Sequence, residues 1–354
     1  MRIAYIVPSL RNKAPVQVVR NLARVMTAHG HVCCVYYFDD RQELDFPCET
    51  RRINLSTRID FGRYDVIHSH CLRSNLYVML HHLHIPKHTK RVMTIHSYVC
   101  EDFAYEQGRV KGWLMTRLLL ATCRFHDHIV TLSKDAVEYY SRWIPREKLT
   151  DIYNCVMIDS DERLTEEEET DILTFKKDGI LLGVNCWLKK VKGLDVLISS
   201  LQKLPSQYRL YIVGDGPEET ALIQLVKQLR LEERVKFAGA KLRAYRFLPH
   251  IDVFALTSWS EGFSLSLLEA ALHGRPCVSS NLADIKEKYG DLLFYFPMPD
   301  EEALAQAIVK AAGEEGRQKA AQLKILAENK FSPEEFYNRH MEVYSMHNYS
   351  STTD

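Results

Sequence analysis

The stretch from residue 251 to residue 279 constrains the fold more than any other part of the sequence. Ile251–Leu256 is an apolar run of strand length, and Cys277–Ser279 begins another strand. Between them, leucines repeat at helical spacing after Ser264, which can cap a helix, and Gly274 closes that helix. The order strand, glycine loop, helix, strand predicts a buried βα unit.

The same order of elements opens the chain. We predict a strand over Arg2–Pro8, a helix over Pro15–His29 with proline in its first turn, and a strand over His31–Phe38. Strand, helix and strand at this spacing predict a parallel sheet with a right-handed crossover. Because 354 residues are too many for one ordinary core, we predict two α/β domains.

The loop and helix after Ile251–Leu256 also carry a candidate site. Unpaired amides and the positive dipole end at a helix N-terminus favour an anion such as a diphosphate. Glu261 precedes this helix and Glu269 lies about two turns along it, where carboxylate oxygens suit a vicinal diol. One glutamate could hold sugar hydroxyls and the other a ribose diol. The alternative is a buried βα unit with two solvated glutamates. The amides belong to Gly262, Phe263, Ser264 and Leu265.

The two glutamates are separated by seven residues, follow a strand and precede Gly274-Arg-Pro276. This arrangement resembles the signature of the family-4 retaining glycosyltransferases of GT-B fold. The resemblance implies two Rossmann-like parallel-sheet domains facing across a cleft, with a C-terminal helix that crosses back to the first domain. It also implies transfer of a sugar from a nucleoside diphosphate, with UDP as the first candidate, to a glycan or lipid-linked acceptor. Retention of configuration, without a metal or another cofactor, is the family expectation.

The resemblance implies roles for residues in both domains. Thr94-Ile-His96 is similar to the family segment whose histidine lies against the donor sugar, and Lys192 holds the position of the lysine that neutralises the leaving diphosphate. Trp187 stands where the family usually has an arginine, so a neighbouring lysine could replace that charge. Further donor-binding positions are Lys189 and Lys190 in the same loop, Gly214 near the nucleotide and Gly239 beside the base pocket.

Two residues of the first domain are candidates for the acceptor side. Lys13 lies in the first βα loop, where the family usually has paired glycines and this chain has Ala14, so the lysine could supply charge there. His70 ends a predicted strand, and ligands of open α/β sheets bind beyond the carboxyl ends of the strands. For His70 a structural role is the alternative.

Charge is unevenly distributed along a chain whose net charge is zero. Residues 1–150 contain 22 Lys and Arg against 14 Asp and Glu, and the remainder contains 24 against 32. A basic first half suggests an acidic partner, such as anionic lipid headgroups or a phosphate-bearing acceptor, and docking of the two halves is the alternative. The basic helix predicted over Gly108–Arg124 is either an interfacial membrane helix or a core helix with Trp113, Leu114, Leu118 and Leu119 on its apolar side.

The cysteines and the apolar runs predict a cytoplasmic protein that contacts a membrane at most peripherally. Nine cysteines without a Cys-x-x-Cys pair fit reduced thiols. The first apolar run is too short for a secretory signal, and Arg117 interrupts the longest one. We expect no nucleic-acid partner.

We predict the following domain boundaries: a first domain over 1–158, an acidic linker over 159–178, a second domain over 179–330, a crossover helix over 331–347 and a disordered tail over 348–354. Asp159-Ser-Asp161 matches a metal-binding Asp-x-Asp pattern, but it opens an acidic run that we interpret as solvated linker. No metal site is predicted.

The function predicted is a hexosyltransferase of bacterial surface polysaccharide synthesis. Two alternatives stay open: a nucleotide-sugar epimerase of the same fold, and a degenerate protein that binds nucleotide sugars without catalysis. Trp187 and Ala14, which depart from the family pattern, are the reason for the second alternative.

Overall fold

The structure is a computed structural model that describes residues 1–159 and 161–346. The chain forms two compact units. One contains residues 1–155 together with the segment from Phe331 onward, and the other contains Val156–Lys330. The tail predicted over 348–354 lies outside the described residues.

The first unit is built on a seven-stranded sheet with the strand order β3-β2-β1-β4-β5-β6-β7. Every pairing in it is parallel, and its central strands are buried along nearly their whole length, as sheets covered on both faces are. The strands are β1 Arg2–Leu10, β2 Val32–Gln42, β3 Glu49–Arg52, β4 Val66–His70, β5 Lys90–Thr94, β6 His128–Thr131 and β7 Leu149–Asp151.

The helices of the first unit follow its strands in the predicted alternation. Ser133 accepts a hydrogen bond from the Ala136 amide and so caps the fifth helix. The helices are α1 Ala14–Ala28, α2 Leu72–Leu80, α3 Val99–Gln107, α4 Arg109–Thr122 and α5 Lys134–Tyr140.

The single helix predicted over Gly108–Arg124 begins at Arg109, because Gly108 adopts a φ of +79° and separates α3 from α4. The interpretation of α4 as a plain core helix is wrong for three of the four apolar residues named in its prediction. Leu119 is buried, whereas Trp113, Leu114 and Leu118 are 57%, 55% and 40% exposed. Across residues 1–159 and 161–346, no helix combines the length and apolar character that crossing a membrane requires.

The second unit is built on a six-stranded parallel sheet with the order β10-β9-β8-β11-β12-β13. The strands are β8 Ile180–Asn185, β9 Tyr208–Val213, β10 Val235–Phe237, β11 Val253–Leu256, β12 Cys277–Ser280 and β13 Phe294–Phe296. The helices are α6 Glu166–Lys176, α7 Leu194–Ser200, α8 Glu219–Gln228, α9 Leu265–Leu272, α10 Ala283–Tyr289, α11 Glu301–Ala312 and α12 Glu314–Lys330.

Helix α6 corrects the prediction of a solvated linker over 159–178. Thr165 and Glu168 form a reciprocal capping box at its start, and the acidic first turn complements the positive end of the helix dipole. Ile172 is fully buried in a cluster with Leu181 and Tyr211. The partly buried Phe175 packs against the same cluster. The helix is therefore part of the second unit, and the surrounding charges obscure its one fully buried residue in the sequence.

The last helix, α13 Pro333–Ser345, belongs to the first unit, as predicted for a crossover helix. Ser332 caps it through the Glu335 amide. Tyr337 stacks on His29 with ring centroids 3.6 Å apart, and the Tyr344 hydroxyl lies 2.7 Å from Nδ1 of His68. Polar and aromatic contacts thus join α13 to the end of α1 and to β4.

Candidate active site

The loop between β11 and α9 takes the predicted conformation. Helix α9 begins at Leu265, and the hydroxyl of Ser264 accepts a hydrogen bond from the Leu267 amide. The amides predicted to bind an anion therefore lie at the start of an eight-residue helix. Ser264, Phe263 and Leu265 are themselves buried.

Glu261 and Lys192, which are 69 residues apart in sequence, form an ion pair beside this loop. Nζ of Lys192 lies 2.6 Å from Oε1 of Glu261, and the Ser258 hydroxyl donates to the same oxygen at 2.6 Å. The Glu261 side chain is 6% exposed and that of Lys192 is 24% exposed. Neither bond uses Oε2, so the carboxylate is oriented while one oxygen is left for a ligand hydroxyl.

Backbone contacts hold the Lys192 loop against the end of β11. The Trp259 amide donates to the Val191 carbonyl at 2.8 Å, and the Thr257 hydroxyl donates to the Lys192 carbonyl at 2.9 Å. Gly193 has a φ of +59°, and a Cβ there would lie 2.2 Å from the Thr257 carbonyl oxygen. Only glycine permits this approach, which brings the lysine to the glutamate.

Glu269, the fifth residue of α9, is partly buried, and its carboxyl differs from that of Glu261 in having no cation beside it within the described residues. Burial raises the pKa of its carboxyl to about 8, and no opposing charge or hydrogen bond offsets that burial within the described part of the chain. The carboxyl is therefore largely protonated at neutral pH in the ligand-free protein. Groups with such a displaced pKa concentrate at binding sites.

A buried ion pair that sequence reasoning missed also contacts this loop. Nζ of Lys288 lies 2.8 Å from Oδ2 of Asp284 and donates to the Gly262 carbonyl at 3.0 Å. The two side chains are 1% and 4% exposed. Their i, i+4 spacing on α10 was visible in the sequence, but the contact with Gly262 depends on how α10 packs.

Two glycines predicted near the nucleotide bring neighbouring loops together. The Gly214 amide donates to the Gly239 carbonyl at 2.9 Å. A Cβ on Gly214 would lie 1.9 Å from the carbonyl oxygen of Cys186, so glycine allows the loop after β9 to pass against the loop after β8. Gly239 has a φ of +70° and open space at its Cβ position. Their direct binding of a nucleotide stays a prediction.

Trp187 and the two lysines after it form the part of the site that departs from the family pattern. Nζ of Lys189 lies 4.1 Å from the centroid of the Trp187 ring, a cation–π contact, and Lys190 is exposed. The ammonium group of Lys189 therefore lies against the Trp187 ring. That either lysine replaces the usual arginine stays a prediction.

In the first unit the structure joins His96 to His70. Nδ1 of His70 lies 2.9 Å from Nε2 of His96. Burial lowers the pKa of His96 to about 3 and lowers that of His70 well below its usual value, so both imidazoles are neutral at pH 7. His96 retains an exposed fraction, as a ligand-binding residue requires.

The predicted contact of His70 with an acceptor is corrected, because His70 has no exposed surface. Its ring is covered by His68, with centroids 4.3 Å apart. The hydroxyls of Tyr344 and Thr94 lie 2.7 and 2.8 Å from the two ring nitrogens of His68. The ends of β4 and β5 therefore bear a packed group of imidazoles from which only His96 reaches the surface.

Lys13 is the residue before α1 and is partly exposed. Glu43 lies nearby: the Asn12 amide donates to it at 2.9 Å, and this bond, followed by the charges of Arg11 and Lys13, lowers the pKa of its carboxyl. The charge of Lys13 is thus partly balanced. Its acceptor role stays a prediction.

The structure thus brings together Lys192, Glu261 and the helix amides in the second unit, and His70 and His96 in the first. Within residues 1–159 and 161–346, no group of three or more His, Cys, Asp or Glu residues could hold a metal ion.

Both units match models of sugar-transferring enzymes. The model described as Glycosyltransferase Family 4 matches residues 16–160, and the model described as Glycosyl transferases group 1 matches residues 180–314. The chain is 32% identical over 321 residues to the O-antigen biosynthesis glycosyltransferase WclY of Escherichia coli. The aligned region covers 88% of this chain and 89% of that protein.

Solved structures share the fold at lower identity. HepE of Anabaena, in complex with UDP and glucose, superposes with a TM-score of 0.80 at 19% identity, covering 97% of this chain and 99% of that one. WaaG, a glycosyltransferase involved in lipopolysaccharide biosynthesis, gives a TM-score of 0.71 at 16% identity, covering 97% and 99%. These likenesses confirm the predicted GT-B class of two Rossmann-like parallel-sheet units.

Proposed function

Because this chain belongs to the group 1 glycosyltransferases, as its resemblance to family 4 predicted, we propose that it transfers a sugar from a UDP-sugar to a hydroxyl of a glycan or lipid-linked acceptor. We place the reaction in bacterial surface polysaccharide synthesis and expect retention at the anomeric carbon. The name of the Escherichia coli relative supports the pathway, and the UDP and glucose in the HepE complex support the donor.

One observation carries the proposal: the Lys192–Glu261 pair lies at the N-terminus of α9. When the glycosidic bond breaks, its electron pair passes to the diphosphate, so negative charge develops there. Lys192 and the amides of α9 are oriented before reaction and stabilise that charge without reorganisation. They would supply this positive charge in place of a metal ion.

The remaining residues bind the ends of the donor. Oε2 of Glu261 accepts a hydrogen bond from a sugar hydroxyl, and Glu269 accepts the ribose diol of the nucleotide. For His96, a contact with the donor sugar is what the family resemblance implies. Retention follows if the acceptor hydroxyl attacks the face that the diphosphate leaves, with its proton passing to the departing phosphate oxygen.

A thermal-shift panel of nucleoside diphosphates tests the donor site. We expect UDP and UDP-sugars to raise the Tm of the wild type, because a ligand of the native state stabilises it by mass action, and to have a weaker effect on Glu269→Gln. ADP, GDP and CDP are the comparison ligands. If the folded wild type responds to no nucleotide of the panel, UDP and UDP-sugars included, the transferase proposal falls and a non-catalytic role gains. UDP-sugar isomerisation without an acceptor would indicate an epimerase.

The panel is best repeated across pH, because Glu269 titrates in the relevant range. Accepting a diol favours the carboxylate, so UDP binding must release the proton that burial retains below about pH 8. UDP affinity should therefore rise up to about tenfold per unit from pH 6 toward pH 8 and level off above it. Glu269→Gln should lose this slope. A slope unchanged in the variant would assign the titration to another group, such as the UDP phosphate.

We also propose that α4 docks on an anionic membrane. Val110, Trp113, Leu114 and Leu118 are exposed at i, i+3, i+4 and i+8, so they form one apolar stripe on the helix. Exposed cations flank the stripe, and the Arg117 guanidinium lies 5.4 Å from the Trp113 ring centroid. An apolar stripe beside positive charge fits the headgroup region of an anionic bilayer. The flanking cations are Arg109, Lys111, Arg117 and Arg124.

Vesicle sedimentation tests this docking. Reversing Arg109, Lys111 and Arg117 to glutamate should weaken binding to phosphatidylglycerol vesicles more than about tenfold, since each basic residue contributes about 1 kcal/mol near an anionic surface. Trp113→Ser with Leu114→Ser should weaken it separately. Ile325→Ser, which removes an exposed apolar residue of the second unit, is the matched control. Unchanged binding in both α4 variants would refute the membrane surface.

A further inference from the structure

We infer that His70 is a positioning residue that holds His96 in the tautomer with its proton on Nδ1, so that His96 presents a hydrogen-bond donor to its ligand. The function of that donor rests on the proposed sugar transfer. The tautomer itself follows from contacts within the first unit.

The first step is that a single hydrogen bond joins the two neutral rings. Nδ1 of His70 and Nε2 of His96 are 2.9 Å apart, so one nitrogen donates and the other accepts. The charged form of either ring is disfavoured by burial. Two arrangements remain, and they differ in which ring donates.

The second step uses the other nitrogen of His70. Nε2 of His70 is buried and has no hydrogen-bond partner within the described part of the chain. If His70 accepted from His96, its own proton would have to sit on Nε2 as a buried N–H without an acceptor. Such orphaned donors are rare and cost about 1–3 kcal/mol, whereas a bare acceptor is tolerated more often. His70 therefore carries its proton on Nδ1 and donates to His96.

The third step follows for His96. Its Nε2 accepts from His70, so its single proton lies on Nδ1. Nδ1 of His96 makes no hydrogen bond within the described part of the chain and is not among the buried unpartnered atoms. The nitrogen available to a ligand is thus an N–H, which recognises an oxygen lone pair such as that of a sugar hydroxyl. It cannot serve as a general base in this form.

The surrounding side chains keep His70 in place. His68 packs on its ring, and both nitrogens of His68 are within hydrogen-bond distance of the hydroxyls of Tyr344 and Thr94. Tyr344 belongs to α13, so the last helix supports the arrangement through His68. Because His68 is fixed in this way, its packing on the His70 ring opposes a rotation that would offer Nε2 to His96.

Nitrogen-15 NMR of the imidazoles tests the inference directly. In two-bond proton–nitrogen spectra, His96, assigned by comparison with His96→Gln, should show a protonated Nδ1 and a bare Nε2. His70→Asn should keep this state, because the asparagine amide can donate from nearly the same position as Nδ1. His70→Phe should release it toward the Nε2–H form that is ordinary in water. His128→Phe, a buried histidine bonded to Thr150, is the matched control.

Activity gives a second readout. With the UDP-sugar that the panel selects, His70→Phe should lower kcat about tenfold or more at nearly unchanged donor KM, and His70→Asn should stay within about threefold of wild type. A protonated Nε2 on His96 in the wild type, or the same tautomer in His70→Phe, would overturn the inference. Failure of all UDP-sugars to bind would refute the proposed function and leave the tautomer result standing.

Discussion

Replacing Lys192 with methionine is expected to lower kcat for sugar transfer about 100- to 1000-fold, the range seen when one oriented electrostatic group is removed from a transition state. Methionine keeps much of the side-chain length and removes the charge. The loss should appear mainly in kcat, because charge on the diphosphate increases as the glycosidic bond breaks. The measurement is steady-state release of UDP with the donor chosen by the thermal-shift panel.

A variant of Glu261 separates the effect on catalysis from the effect on stability, because Glu261 is the partner of Lys192 in the ion pair at 2.6 Å. Lys192→Met leaves a nearly buried carboxylate without its counter-ion, and Glu261→Gln removes that charge while keeping the shape. The double variant should therefore be more stable than Lys192→Met alone and still inactive. Lys203→Met, an exposed lysine outside the site, is the matched control and should keep wild-type kcat. Wild-type activity in Lys192→Met would refute the role of this pair.

Loss of Lys288 should produce the largest change in stability. Lys288→Met removes the cation that pairs with the buried carboxylate of Asp284, a loss that typically lowers the free energy of unfolding by about 3–5 kcal/mol. For a unit of this size the Tm should fall by about 6–20 °C. Lys324→Met breaks an exposed i, i+4 pair with Glu328 and should change the free energy of unfolding by less than about 1 kcal/mol. Calorimetry of the three proteins is the measurement.

A double variant separates stability from site geometry. Lys288→Met with Asp284→Leu replaces the ion pair by apolar groups, a change that is often neutral for stability. The Gly262 carbonyl still loses its donor, so we expect Tm to recover while UDP binding stays weakened. Full recovery of both Tm and UDP binding would show that the Lys288–Asp284 pair stabilises the fold without orienting the loop. If Lys288→Met alone leaves Tm unchanged, the ion pair contributes nothing measurable.

Elements with a local sequence pattern were predicted well. The β11–α9–β12 unit, the cap at Ser264 and the last helix all follow from residues close together in the chain. Helix α6 was missed because four glutamates conceal its one fully buried residue, Ile172. For α4 the apolar spacing was visible, but the sequence could not distinguish a stripe that faces the core from one that faces solvent.

The sequence by itself determined that two α/β units exist, that a helix N-terminus follows Glu261, and that Glu261 and Glu269 are candidates, because each depends on spacing within a few turns of chain. His96 and Lys192 became candidates through the resemblance of their segments to the family. Only the tertiary structure decided their partners. Lys192 meets Glu261 across 69 residues, His70 meets His96 across 26, and Lys288 reaches the Gly262 carbonyl from a neighbouring helix. The reason is physical: hydrogen bonds, burial and pKa depend on which surfaces pack together, and local periodicity does not contain that information.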